Sequence, residues 1–248
     1  MSTTSRSGHH YLSTNHIPVR ERLIFALDLD NEAEAKNLVQ ALSDSVIFYK
    51  LGLQLFMAGG YFELIQWLNG VGKKVLVDLK FFDVPETVRS AVRQLRGRGA
   101  FFVTVHGNDD ILRAAVEEKD SLHVLAVTVL TSLDEHDIKD LGFRVNIKNL
   151  VLSRAKRALE IGCDGVISSG LEAPALRKEF GHQFIIVVPG IRPLENKPVD
   201  DQKRTVDVEE AFLSGADYVV VGRPIRKAPD PKAAAEGIQK RIAKLFAP

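Results

Sequence analysis

Val75 to Val88 read VLVDLKFFDVPETV. Val75, Leu76 and Val77 form an apolar run that suits a buried strand. Asp78 and Lys80 stand two residues apart, so on a strand their side chains point to the same side. Opposite charges on one face of an apolar strand must be paired or solvated. Asp83 and Pro85 then open a helix, since proline is tolerated in a first helical turn and carboxylates are favoured near that end. The stretch is strand, short loop, helix, with Asp78, Lys80 and Asp83 gathered at the strand's C-terminal end. In parallel α/β folds that end carries the chemistry. An Asp-x-Lys-x-x-Asp triplet alone is common and mostly surface charge, so the rest of the chain must decide.

Working outward, apolar runs that suit strands recur at Leu23 to Leu29, Val46 to Leu51, Lys73 to Leu79, Ala100 to His106, Leu122 to Leu130, Asp164 to Ser168, Phe184 to Pro189 and Asp217 to Gly222. Helical spacing follows each, as in NEAEAKNLVQAL after the first, where Ala35, Leu38, Val39 and Leu42 share a side. The helical stretch after the second strand is broken at Gly59-Gly60. Eight apolar strands, each followed by a helix and with no linker between, predict one (β/α)₈ TIM barrel over residues 19–248. A doubly wound open sheet is the alternative; it often has a glycine-rich first turn, and here that turn is LDLDNEAE. Residues 1–18 read as a polar, flexible extension without the apolar core of a signal peptide.

The totals exclude several classes. The 248 residues are 45% hydrophobic and 26% charged, ordinary for a globular protein. A formal net charge of +1 gives no general affinity for nucleic acid or an anionic membrane, and no apolar run approaches a membrane span. The one cysteine, Cys163, allows no internal disulfide, which fits a reducing cytoplasm.

Barrel geometry brings Asp28, Lys50, Asp78, Lys80, His106 and Thr131 to one mouth as strand-end residues. Two lysines among carboxylates form an alternating network in which each ammonium is held protonated by its neighbours while burial pushes the other way. The last two strands end in VVPGIRP (187–193) and VVVGRPI (219–225). In barrels the loops there often bind a phosphate through backbone N–H groups, and Arg223 adds a bidentate fork. Arg192 belongs to the same phosphate-binding candidates. The polar loop LENKPVDDQKRT (194–205) is a candidate lid whose Gln202 could donate to the phosphate on closure.

With these pieces assembled, the chain resembles the orotidine 5′-phosphate decarboxylase family, especially its bacterial branch. The matching segments are ALDLD (26–30), YKLG (49–52), VDLKFFDVPETV (77–88), VTVH (103–106), AVTVLTS (126–132), VVPGIRP (187–193), DDQKR (200–204) and VVVGRPI (219–225). The resemblance runs in order from about Leu23 to the end. It implies decarboxylation of orotidine 5′-phosphate to UMP, the last step of de novo pyrimidine nucleotide synthesis, with no metal and no cofactor. It implies that Asp28 and Lys50 hold the ribose hydroxyls, that Asp78 lies beside the substrate carboxylate, and that Lys80 protonates C6. It also implies that Asp83, with Thr87 beside it, reaches across a homodimer interface. Thr131 would contact the pyrimidine, Pro189 would wall the carboxylate, and Gln202, Gly222 and Arg223 would hold the phosphate.

Relatives that decarboxylate or synthesise sugar phosphates share the Asp-x-Lys-x-x-Asp motif but use magnesium and carry an acidic residue at the second strand's end. Lys50 stands there instead, and no His-x-x-x-His or paired-cysteine spacing is present. A barrel that binds a phosphate ligand without turning it over is a third reading, against which the intact Asp78, Lys80 and Asp83 speak. Two segments depart from the family's habit. GNDD (107–110) follows His106 where a small glycine-containing turn is usual, and Asp201 and Asp207-Val208 stand where glycine and Thr-Pro are common.

Overall fold

A computed structural model describes residues 11–192 and 204–247. Eight parallel strands close into a barrel in sequence order: β1 (Leu23–Ala26), β2 (Phe48–Gly52), β3 (Lys74–Phe81), β4 (Phe102–His106), β5 (His123–Val127), β6 (Gly165–Ile167), β7 (Ile185–Val188) and β8 (Tyr218–Val221). The open-sheet alternative is thereby excluded, because β1 pairs with both β2 and β8.

Period-two alternation sorts the strand residues. Ile24, Phe48, Leu76, Phe102, Leu125, Val187, Tyr218 and Val220 fill the barrel interior. Phe48 and Phe102 stack there at 5.6 Å, with Tyr218 edge-on to both. The alternate residues, such as Phe25, Tyr49, Val75, Val77 and Val103, face the helices and build the larger outer core. Burying each of these large side chains contributes about 1.5–3 kcal/mol, so the alternation strongly fixes which side of β3 carries Asp78.

The helices follow their sequence signals. Helix Glu32–Leu42 is capped by Asn31, whose side chain accepts from the Glu34 N–H, and buries Ala35, Val39 and Leu42. Gly59 and Gly60 break the next segment with φ of +85° and +68°, a region L side chains rarely adopt. Helix Pro85–Leu95 takes Pro85 in its first turn and buries Val88, Val92 and Leu95. Cys163 is a packed core residue, and burial pushes its thiol up to about 12. Among the described residues no helix is long and apolar enough to cross a membrane.

Three features differ from the sequence expectation. Most strands are shorter than their apolar runs; β5 ends at Val127 rather than Leu130, because the chain turns there into the barrel mouth. Two short helices, Glu135–Asp140 and Arg223–Arg226, carry no helical apolar periodicity in the sequence. The first buries only Ile138 and so has no apolar stripe; its signal is the Asp134–Asp137 capping box. The boundary of the N-terminal extension also moves. Residues 11–18 lie against the barrel: Tyr11 donates its N–H to Leu213, Ser13 is buried, and Ser13 and Asn15 bond to Asp217. Polar residues that satisfy a buried carboxylate have the same composition as a solvated tail.

Candidate active site

The mouth at the strands' C-terminal ends encloses a cavity of about 630 Å³. Its floor continues the interior layers of the barrel. Leu76, Asp78 and Lys80 rise along one face of β3, and Lys50 follows Phe48 on β2. Gly52 gives that lysine its space, since a Cβ at position 52 would stand 3.0 Å from the Lys50 ammonium.

The charges form one chain. Lys50 Nζ lies 2.9 Å from Asp28 Oδ1 and 3.6 Å from Asp78 Oδ2. Lys80 Nζ donates to Asp78 Oδ1 at 2.9 Å. Burial pushes the Asp78 carboxyl up, but Lys50 and Lys80, with hydrogen bonds from Lys80 and Thr104, outweigh it and hold the group below its ordinary value. Burial pushes the Lys50 ammonium down, but Asp78 and then Asp28 carry it above its ordinary value. Both groups are therefore charged at neutral pH. Lys80 is the more accessible ammonium: its side chain keeps 35% of its exposure, against 13% for Lys50.

Lys80 also carries unusual backbone. Its φ is +49°, in the left-handed region, and the β3–β4 register slips so that β3 advances from Val77 to Phe81 while β4 advances only from Val103 to Val105. Such a conformation at a residue with a Cβ costs about 1–3 kcal/mol and persists only where the surroundings enforce it. With this backbone the lysine lines the cavity and reaches Asp78.

Of the residues singled out from the sequence, Asp28, Lys50, Asp78, Lys80, Thr131, Pro189, Arg192, Gly222 and Arg223 all line this cavity. Arg192 is 7% exposed, and its backbone N–H pairs with Val206. Asp83 and Thr87 do not line it. Both are exposed, and the Asp83 carboxylate accepts from the Val84 N–H at 2.7 Å. Gln202, with most of the candidate lid, lies outside the described residues. Arg204, near the end of that segment, is buried, pairs with Glu172 at 2.8 Å and donates to the carbonyls of Val129 and Leu130.

His106, grouped with the mouth by its strand-end position, opens instead onto a neighbouring cavity with Phe82 and Arg154. Burial, then Arg154 and Lys80, lower its pKa, so it is neutral at pH 7. The GNDD turn has a specific use, since Asn108 caps helix Asp109–Glu117 by accepting from the Ile111 N–H. Asp207 is likewise buried, opens helix Val208–Leu213 and pairs with Arg241.

Sequence reasoning missed Thr104 on β4, Gln54, Arg226 and Lys227. The last three line the cavity, and Arg226 donates to the backbone carbonyl of Asp28. Period two puts Thr104 on the strand face of Phe102, but nothing in the segment itself marks it for the site. Among the described residues no group of three or more His, Cys, Asp and Glu is arranged to hold a metal ion.

The comparisons agree with this geometry. A protein from Methylococcus capsulatus named orotidine 5′-phosphate decarboxylase is 60% identical over 238 residues, covering 96% of this chain and 98% of that one. One of the same name from Nitrobacter winogradskyi is 47% identical, covering 92% and 95%. The crystal structure of orotidine 5′-phosphate decarboxylase from Lactobacillus acidophilus superposes with a TM-score of 0.79 at 35% identity, over 90% of this chain and 99% of that one. Residues 21–238 match the Orotidine 5′-phosphate decarboxylase / HUMPS family, and the chain belongs to it.

Proposed function

We propose that this protein decarboxylates orotidine 5′-phosphate to UMP, the last step of de novo pyrimidine nucleotide synthesis, without a metal or organic cofactor. The observation that carries the reading is the Asp28–Lys50–Asp78–Lys80 network on the cavity floor. It is supported by a 60% identical relative of that name. In this reading Gly222, Arg223 and Arg192 bind the phosphate, joined by Gln202. Thr131 and Pro189 border the pyrimidine, and Asp28 and Lys50 take the ribose hydroxyls.

The reaction breaks the bond between C6 and the carboxylate. Carbon dioxide leaves, and the electron pair stays on C6. The Lys80 ammonium supplies the field that stabilises this charge, then gives its proton to C6 and is reprotonated from water. Asp78 repels the carboxylate of the bound substrate but not the departing neutral carbon dioxide, so its effect grows toward the transition state. Phosphate contacts far from C6 supply binding energy for positioning. The Lys50 ammonium already stands between Asp28 and Asp78, a position where a divalent cation would need a further acidic ligand.

The reading includes a homodimer in the cytoplasm, with Asp83 and Thr87 completing the partner's site. Both are exposed on the single chain, as are the apolar Leu53, Phe56, Met57, Phe82 and Val84 around the ends of β2 and β3. A second copy would bury them. Mixing Lys80→Ala with Asp83→Ala chains would then restore activity toward about a quarter of the wild-type level, because half the dimers are mixed and one site in each is intact. No recovery would remove the shared site. The function itself is tested by incubating the protein with orotidine 5′-phosphate and separating the products. UMP and carbon dioxide in equal amounts are expected; no UMP from folded protein would overturn the reading.

A further inference from the structure

Thr104 lies on β4 directly against the Asp78–Lys80 pair, is fully buried, and has no part in the chemistry described above. Its Oγ1 stands 3.0 Å from Asp78 Oδ1 and 2.9 Å from the Lys80 backbone nitrogen. The direction of both bonds is fixed by the partners. Ionised Asp78 can only accept, and a backbone N–H can only donate. The hydroxyl therefore gives its one proton to Asp78 and accepts from Lys80.

We infer that Thr104 is a positioning residue that ties the carboxylate of Asp78 to the left-handed backbone of Lys80 and so sets the ammonium's position over the reacting carbon. The inference rests on the decarboxylase reading for the identity of that carbon. Lys80 falls inside the register slip between β3 and β4, and there its N–H donates to the Thr104 hydroxyl. An N–H withdrawn from water without a partner is unfavourable, and with Lys80 at φ +49° this hydroxyl removes that penalty. The same oxygen leaves Asp78 Oδ1 with two donors, Thr104 and Lys80. One side chain thus fixes both ends of the pair, and a shift of about 1 Å in a reacting group costs on the order of 10²-fold in rate.

The test compares Thr104→Val, which keeps the volume and removes both bonds, with Thr104→Ser, which keeps them. Thr104→Val is expected to lower kcat by about 10- to 100-fold with little change in KM. It should also move the acid limb of the kcat profile to higher pH, because Asp78 loses a hydrogen bond to its charged form. Thr104→Ser is expected to recover most of both. Unchanged kcat and acid limb in Thr104→Val, or Thr104→Ser as impaired as Thr104→Val, would overturn the proposal. If the valine variant does not fold, Thr104→Ala takes its place. NMR titration of the Asp78 carboxyl in substrate-free protein reads the same contact independently. Wild type inert toward orotidine 5′-phosphate would defeat the decarboxylase reading. A raised Asp78 pKa in the variant would still support the contact, and an unmoved one would refute it.

Discussion

Asp78 and Asp217 are both buried carboxylates of one barrel, the first at the top of β3 and the second just below β8, and they are satisfied in different ways. Asp217 is fully buried. One of its oxygens accepts from the Ser13 hydroxyl and the Asn15 amide, the other from the Arg177 guanidinium and the Ile186 N–H. Two short side chains, a guanidinium fork and a backbone N–H thus give each of its oxygens two donors. Asp78 faces two ammonium groups on flexible stems and one hydroxyl, and it borders a cavity of about 630 Å³. A buried charge whose partners saturate it serves stability, whereas one whose cation also faces open space is equipped to act on a ligand. The difference matches the division of labour between the two ends of such barrels.

Substitutions can break that contrast. The largest effect is expected for Lys80→Ala, which removes both the field and the proton donor. Its kcat should fall by about 10⁴-fold or more, measured by loss of substrate absorbance. Asp78 keeps Lys50 and Thr104, so the fold should survive. Asp217→Ala should do the reverse. It leaves Arg177, whose side chain is 1% exposed, buried without its counter-charge. The loss should be about 3–5 kcal/mol, a fall in melting temperature of roughly 10 °C, with kcat at 25 °C nearly unchanged. A variant of Asp217 that melts normally but loses turnover would erase the distinction between the two ends.

Smaller effects sharpen it. Arg223→Ala should lower kcat/KM by about 10- to 100-fold, the value of one charge-assisted contact to phosphate, without changing the melting temperature. The pH dependence follows from the shifts. Asp78 lies below its ordinary value when folded, so its contribution to stability is present above an unfolded pKa of about 3.9 and lost as pH falls through the folded value. Lys50 lies above its ordinary value, so its contribution is present below about 10.4 and lost only as pH rises further. His106 is lowered, so the unfolded chain binds its proton first and stability declines gently as pH falls below about 6.5. Thermal melts across pH should show that shallow slope, and His106→Gln should flatten it by a degree or two, the smallest effect expected here.

The barrel was legible because its signals are local and repeated: each strand is an apolar run and the longer helices carry a stripe. Asp28, Lys50, Asp78 and Lys80 were legible because strand ends converge in a barrel and period two puts Asp78 and Lys80 on one face. Thr104 was not, because its importance comes from a register slip between two strands, which no single segment encodes. The docking of residues 11–18 was hidden for a related reason, since it depends on Asp217 some 200 positions away, as the separation of 204 residues between Ser13 and Asp217 shows. Asp83 and Thr87 stand outside the cavity of one chain, so their expected role needs an assembly that neither the sequence pattern nor a single barrel contains. Arg226 had a visible charge but no visible target, because its target is a backbone carbonyl at the far end of the chain.

The most direct measurement is the ultraviolet loss of orotidine 5′-phosphate with wild type and Lys80→Ala side by side, each with and without EDTA, and with melting curves on the same samples. Turnover that is indifferent to EDTA in wild type and collapses in a variant that melts normally is the predicted result. Wild-type turnover abolished by EDTA, or Lys80→Ala turning over at the wild-type rate, would contradict a metal-free decarboxylation driven by the Asp78–Lys80 pair.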